Sequence, residues 1–307
     1  GTLTINPIVA VGVETSANTS TTSTQSEPSV AYAPDGTYVV VWQDASGLDT
    51  DGWGVFGQRF AADGSKIGGE FQINTSDANN QSNALIAMDD AGGFVVTWVH
   101  RTNGGSTQIY AQRFDASAAM VGSEFTVNTT SQFNQKLGGI AMNASGQFVM
   151  SWYDNGPGDD EGVFFQIFDA LGNEVSSETR ANTTITDDQQ VPQVAIDDSG
   201  NVVVVWQSNL QDGSGIGIYG QRYNAVAVAQ GGEFLINTTT TGSQLRPAVA
   251  MNASGEFVVA WDGNGPGDTS GVFMQRFNAA GVAQGAETAV NTTTAQSQIF
   301  PDVDSAD

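Results

Sequence analysis

The sequence predicts an all-β fold: a β-propeller of four-stranded blades, with five complete repeats and a sixth split between the termini. Three observations carry this. Tryptophan recurs at Trp42, Trp98, Trp152, Trp206 and Trp261, at spacings of 56, 54, 54 and 55 residues. Each closes an apolar run such as GTYVVVW, GGFVVTW or GNVVVVW. A second anchor follows each run: GQRF, AQRF, FQIF, GQRY and MQRF. Self-similarity at a fixed period of this length marks a repeat architecture in which each unit buries its apolar faces against its neighbours.

Within one unit the chain reads as four strands. PQVAID (192–197) comes first, and a tight DDSG turn leads to NVVVVW (201–206). Asp, Asn and Gly in that turn tolerate hairpin geometry. The second strand is nearly all apolar, as a strand covered on both faces must be. GIYGQRY (217–223) and EFLINT (233–238) supply the third and fourth, with apolar residues at alternate positions. A polar stretch of roughly ten residues then leads to the next unit. The repeats run approximately 20–75, 76–129, 130–183, 184–238 and 239–292, with partial units at 1–19 and 293–307, inside one domain spanning 1–307. A five-bladed closed propeller and an open β-repeat array are the alternatives.

Composition narrows function. Thirty-three acidic and nine basic residues give a net charge of −24. Such a surface repels phosphate backbones and anionic lipid, which excludes nucleic acid as a partner. No run approaches about 18 apolar residues, so membrane insertion is excluded too. Sixteen Phe and six Trp allow a packed core despite the charge. There are no cysteines, hence no disulfides, thiolate metal sites or cysteine nucleophiles. No signal peptide is visible, which reads as removal or as a piece of a longer chain.

The consensus EFxVNTxTxxxQxxPxVAMxxxGxFVVxW…GVFxQRF resembles the repeats of very large secreted bacterial proteins of adhesin-like or hemolysin-type organisation. That resemblance implies an extracellular or cell-surface protein whose neighbouring domains bind calcium; the regular repeat, the acidity, the lack of cysteine and the missing catalytic constellation make a non-enzymatic structural or adhesive module, calcium-stabilised, the expectation. Its partners would be other copies of itself or neighbouring domains of a longer chain. The DxxGxFVVxW hairpin also resembles the Asp-box of sialidase-like propellers. Asp89 and Asp197 carry the acid there, whereas Asn143 and Asn252 replace it.

The loop after each tryptophan varies, so candidate sites are sought there. QDASGLDTDGWG in the first repeat holds Asp44, Asp49 and Asp51, and the third holds Asp154, Asp159, Asp160 and Glu161. Hard cations want several oxygen ligands, and DTDG offers two carboxylates beside a glycine bend. Calcium at Asp44, Asp49, Asp51, Asp154, Asp159 and Asp160 is the expectation. A lectin-like alternative, with glycans as partners, makes Trp53 and Tyr153 the contacts. A carbohydrate-active enzyme would need one asymmetric acidic cleft, for which the third repeat is the only candidate.

Other features read as scaffold. Arg59, Arg113, Arg222 and Arg276 of the QRF anchors recur with Glu70, Glu124, Glu233 and Glu287, which predicts a structural Arg–Glu pair. The Asn–Thr pairs and the glutamine seven residues later predict side-chain ties to the linker. A single histidine, His100, builds neither a triad nor a histidine zinc site. The sequence therefore predicts no catalytic residue and no enzyme.

Overall fold

A computed structural model describes residues 14–49, 52–76, 78–102, 104–131, 133–155 and 161–304. These residues form five four-stranded antiparallel sheets and no helix. Sheet 1 holds β1 (Gln25–Tyr32), β2 (Tyr38–Asp44), β3 (Gly54–Phe60) and β4 (Lys66–Gln72). Sheet 2 holds β5 (Gln81–Met88), β6 (Phe94–Arg101), β7 (Thr107–Phe114) and β8 (Met120–Thr126). Sheet 3 holds β9 (Lys136–Met142), β10 (Phe148–Asp154), β11 (Gly162–Phe168) and β12 (Thr179–Arg180). Sheet 4 holds β13 (Gln189–Ile196), β14 (Val202–Asn209), β15 (Ile216–Tyr223) and β16 (Phe234–Leu235). Sheet 5 holds β17 (Gln244–Met251), β18 (Phe257–Gly265), β19 (Asp268–Phe277) and β20 (Thr288–Ala289).

The blade count differs from the sequence expectation. Five sheets are present, and residues 293–304, the described part of the expected C-terminal partial unit, contain no strand. The N-terminal part of the proposed split unit, residues 1–13, lies outside the described residues. Among the described residues, 293–304 pair with no strand, and a lone strand has no ladder to join.

The hairpin turns explain the Asp/Asn interchange. Asp197 Oδ1 accepts the backbone N–H groups of Ser199 and Asn201 at 2.9 and 2.8 Å. Asn143 Oδ1 does the same for Ser145 and Gln147 at 3.2 and 3.0 Å. Only a side-chain oxygen at that distance is required, so both residues serve.

The core lies between sheets. Trp206 packs with Val149, Phe165 and Ile167 of sheet 3, and Trp261 with Val203, Val205 and Ile218 of sheet 4. Trp98 and Trp152 each face the preceding sheet in the same way. In sheets 1 to 4 the opposite face of the second strand meets the next sheet, which is why these strands are nearly all apolar up to the tryptophan.

Polar ties repeat with the core. Asn237 Oδ1 accepts the Ile218 N–H at 2.7 Å, while its amide donates to Gln244 Oε1 at 3.1 Å. Asn74 and Asn182 make the same pair of bonds. The predicted Arg–Glu pair does not form. Glu124 accepts from the backbone N–H and hydroxyl of Thr75 at 2.8 and 3.0 Å, pinning the linker that enters its own sheet. Arg59 and Arg222 instead donate to Ser117 and Ala279 carbonyls of the following sheet. Both residues are scaffold, with different partners, because a guanidinium satisfies open turn carbonyls that a glutamate cannot.

The first strands of successive sheets neighbour one another. Their C-terminal ends, with residues 302–304, line a cavity of about 680 Å³. Tyr32 donates to Asp304 Oδ2 there at 2.7 Å, joining sheet 1 to the C-terminal segment. The acidic loops lie at the other end of the strands.

Candidate functional site at the tip of sheet 3

Every first strand begins with a bulge after its glutamine. The register shifts at Ser26/Ser29, Ser82/Leu85, Gln190/Gln193 and Leu245/Ala248. The residue at the bulge has a left-handed backbone in Glu27, Asn83, Val191 and Arg246, with φ of 51°, 54°, 52° and 51°. Such angles cost energy in non-glycine residues, most of all in β-branched Val191, and need support from their surroundings.

For Asn83 and Arg246 the support comes from the residue after the tryptophan of the preceding sheet. Gln43 Oε1 accepts the N–H of Asn83 at 2.9 Å, and Gln207 Oε1 that of Arg246 at 3.2 Å. Asp262 Oδ1 accepts the N–H of Phe300 at 3.3 Å. Sheets 2 and 3 break this pattern. Val99 and Tyr153 occupy the position and offer no amide or carboxylate oxygen. Leu137, at the bulge facing Val99, is absent from the left-handed set. Gly138 follows it, where a Cβ would lie 2.5 Å from the Pro192 carbonyl of sheet 4. The first strand of sheet 3 therefore sits hard against sheet 4, while Leu137 and Ile140 share a core with Val95 and Val99 of sheet 2.

A groove of about 480 Å³ opens on the sheet 2 side, lined by Asn83, Arg101, Asn134, Lys136 and Tyr153 among others. Lys136 Nζ lies 4.9 Å above the Tyr153 ring. It also donates to Glu161 Oε1. Gln190 of sheet 4 donates to the other oxygen, Oε2. Glu161 is bridged in parallel to Asp188, and the Gln189 N–H donates to the Glu161 carbonyl at 2.9 Å. Glu161 is buried and Asp188 half-buried. Burial acts to lower the Lys136 pKa, but the hydrogen bond and charge of Glu161 outweigh it, and the pKa is raised. Burial raises the Tyr153 phenol, offset in part by Lys136.

The predicted residues fall as follows. Tyr153 lines the groove, and Trp53 is half-buried in another loop, its backbone N–H bonded to Asn80 at 3.2 Å. Asp44, Asp49 and Asp154 are buried, and Asp51, Asp159 and Asp160 lie outside the described residues. Asp49 Oδ2 accepts from Asn74 at 2.8 Å, and Asp268 repeats this with Asn291 at 3.0 Å. Asp44 Oδ1 accepts the Ser46 N–H at 2.6 Å, while its buried Oδ2 has no hydrogen-bond partner. Among the described residues no three His, Cys, Asp or Glu side chains gather as a metal cluster.

Sequence reasoning named Tyr153 and the third repeat but missed Lys136, Asp188, Gln190 and Arg101. The available signal was departure from the repeat. Lys136 stands where other repeats carry Ser, Gln, Leu or Ile, and Arg101 where they carry Ala or Asn.

No protein-family model matches the chain, and no curated protein matches it. Solved structures do. A Penicillium chrysogenum alpha-L-arabinanase complexed with arabinobiose is 13% identical over 86% of this chain and 80% of its own, with a TM-score of 0.57. The GH93 alpha-L-arabinofuranosidase of Fusarium graminearum with arabinobiose is 15% identical over 90% and 83%, at 0.53. A Hadza microbial sialidase is 10% identical over 87% of this chain, at 0.54; the chain spans 57% of that protein's length.

At such identities the likeness carries the fold: an all-β, propeller-like arrangement shared with carbohydrate-active enzymes. It corrects the expectation of an adhesin-like or hemolysin-type family, since the neighbours are an arabinanase, an arabinofuranosidase and a sialidase. The readings as a non-enzymatic structural or adhesive module fall with it. The repeat consensus misled because it records packing between sheets, which any such row of sheets requires whatever its site does.

Proposed function

We propose that this chain is a carbohydrate-active propeller that hydrolyses a glycan at the tip of sheet 3. The observation that carries this is the Glu161 carboxylate, held by Lys136 and Gln190 beside the Tyr153 groove, with Asp188 near enough for its charge to act on Lys136. Glycosidic hydrolysis needs two carboxyl groups: one protonates the leaving oxygen, the other attacks the sugar or activates water. Glu161 accepts hydrogen bonds on both oxygens, from Lys136 and Gln190, so it serves as the acceptor carboxylate. Asp188 supplies the proton. Tyr153 gives a half-buried aromatic face for a sugar ring, and Lys136 fixes Glu161. The likeness to an arabinanase, an arabinofuranosidase and a sialidase supports a glycan as substrate.

The test is release of reducing ends from arabinan and of sugar from sialylated oligosaccharides. Activity lost in both Glu161→Gln and Asp188→Asn supports the assignment. Activity retained in either removes that residue from the reaction.

We also propose a structural calcium ion at Asp44, supported by its buried Oδ2 without a hydrogen-bond partner. An unpaired buried carboxylate oxygen is costly, and a bound cation relieves that cost.

A further inference from the structure

We propose that the groove between sheets 2 and 3 selects glycans bearing a carboxylate, with Arg101 as the residue that binds it. This rests on the glycan reading above and narrows its substrate class.

The argument starts from scarcity. The chain has nine basic residues against thirty-three acidic ones. Most of the arginines are committed to the scaffold. Arg59, Arg113 and Arg222 donate to carbonyls of the following sheet, and Arg246 forms a forked ion pair with buried Asp262. Arg101 and Lys136 stand apart, each at a position where no other repeat has a cation. Both line the same groove. Lys136 is held by Glu161, whereas the exposed Arg101 guanidinium makes no hydrogen bond among the described residues.

A guanidinium presents paired N–H donors that match a carboxylate in two parallel bonds. The rest of the lining suits a sugar. Tyr153 offers a ring face, and Asn83 and Asn134 offer amides for hydroxyl groups. In a molecule of charge −24 an anion meets net repulsion overall, so the uncompensated Arg101 cation gives discrimination as well as attraction.

Binding, rather than turnover, tests this. Titration calorimetry on the intact chain would compare an oligogalacturonide, sialyllactose and a neutral arabino-oligosaccharide, at low and moderate salt. The wild type should bind at least one acidic probe ten- to hundredfold tighter than the neutral one. Arg101→Gln should erase that preference and keep the neutral binding, with an unchanged melting curve. Arg101→Lys should restore part of it. Equal affinity for neutral and acidic probes, or a preference that survives Arg101→Gln, overturns the proposal. Glu161→Gln separates the two readings: acidic binding that persists while hydrolysis is absent from every chain leaves this inference standing and sinks the catalytic one.

Discussion

Gln207 accepts the backbone N–H of Arg246 at 3.2 Å, tying sheet 4 to the strained bulge of sheet 5. Tyr153 occupies the same place in sheet 3 and makes no such tie, and its ring lines the groove instead. One side chain thus decides whether the rim is scaffold or site. Tyr153→Gln should restore the tie to Val191. We expect a melting temperature at or above that of the wild type, with glycan affinity reduced about tenfold through loss of the aromatic face. Calorimetry and a thermal melt on one preparation check both halves.

The inter-sheet tryptophans should dominate stability. Trp206 is fully buried between sheets 3 and 4. Trp206→Ala should cost about 3–5 kcal/mol, from lost transfer energy and the cavity left behind. Trp53→Ala, in a half-buried loop position, should cost about 1 kcal/mol or less. Urea unfolding of the two variants distinguishes them.

His100 makes stability pH-dependent. Burial pushes its pKa below 6.5, against a smaller opposing pull from Glu124. The unfolded chain therefore binds a proton more readily than the folded one. Stability is fully present above about pH 6.5 and is lost as pH falls through that value toward the folded pKa. His100→Gln removes this slope. Melting temperatures between about pH 5 and 7.5 should fall on acidification more in the wild type than in the variant.

Calcium is read by a melt with the ion, with EDTA and with magnesium as control. A calcium-specific rise that Asp44→Asn abolishes is expected, since a ligand bound only by the native state stabilises it by mass action. No shift in the wild type removes the ion from Asp44.

Most of the fold was legible because packing leaves a period. The tryptophans, the turn Asp or Asn and the Asn–Gln tie recur because each sheet solves the same burial problem. What recurs hides what differs. Lys136 and Arg101 were visible as departures from the repeat, but only the bulge geometry shows that they share a groove. Asp188 lies next to a scaffold glutamine in the chain, and nothing in its sequence neighbourhood announces the bridge to Glu161, 27 residues earlier. Arg59 and Glu70 recur together, yet co-occurrence at one period does not identify partners, because every scaffold residue shares that period.

The most direct test is hydrolysis by the wild type, Glu161→Gln and Asp188→Asn, measured as glycan product released, with a melting curve for each. The account predicts turnover in the wild type and a loss of at least about a hundredfold in both folded variants. Turnover that survives either substitution, or none in the wild type across neutral and acidic glycans, contradicts it.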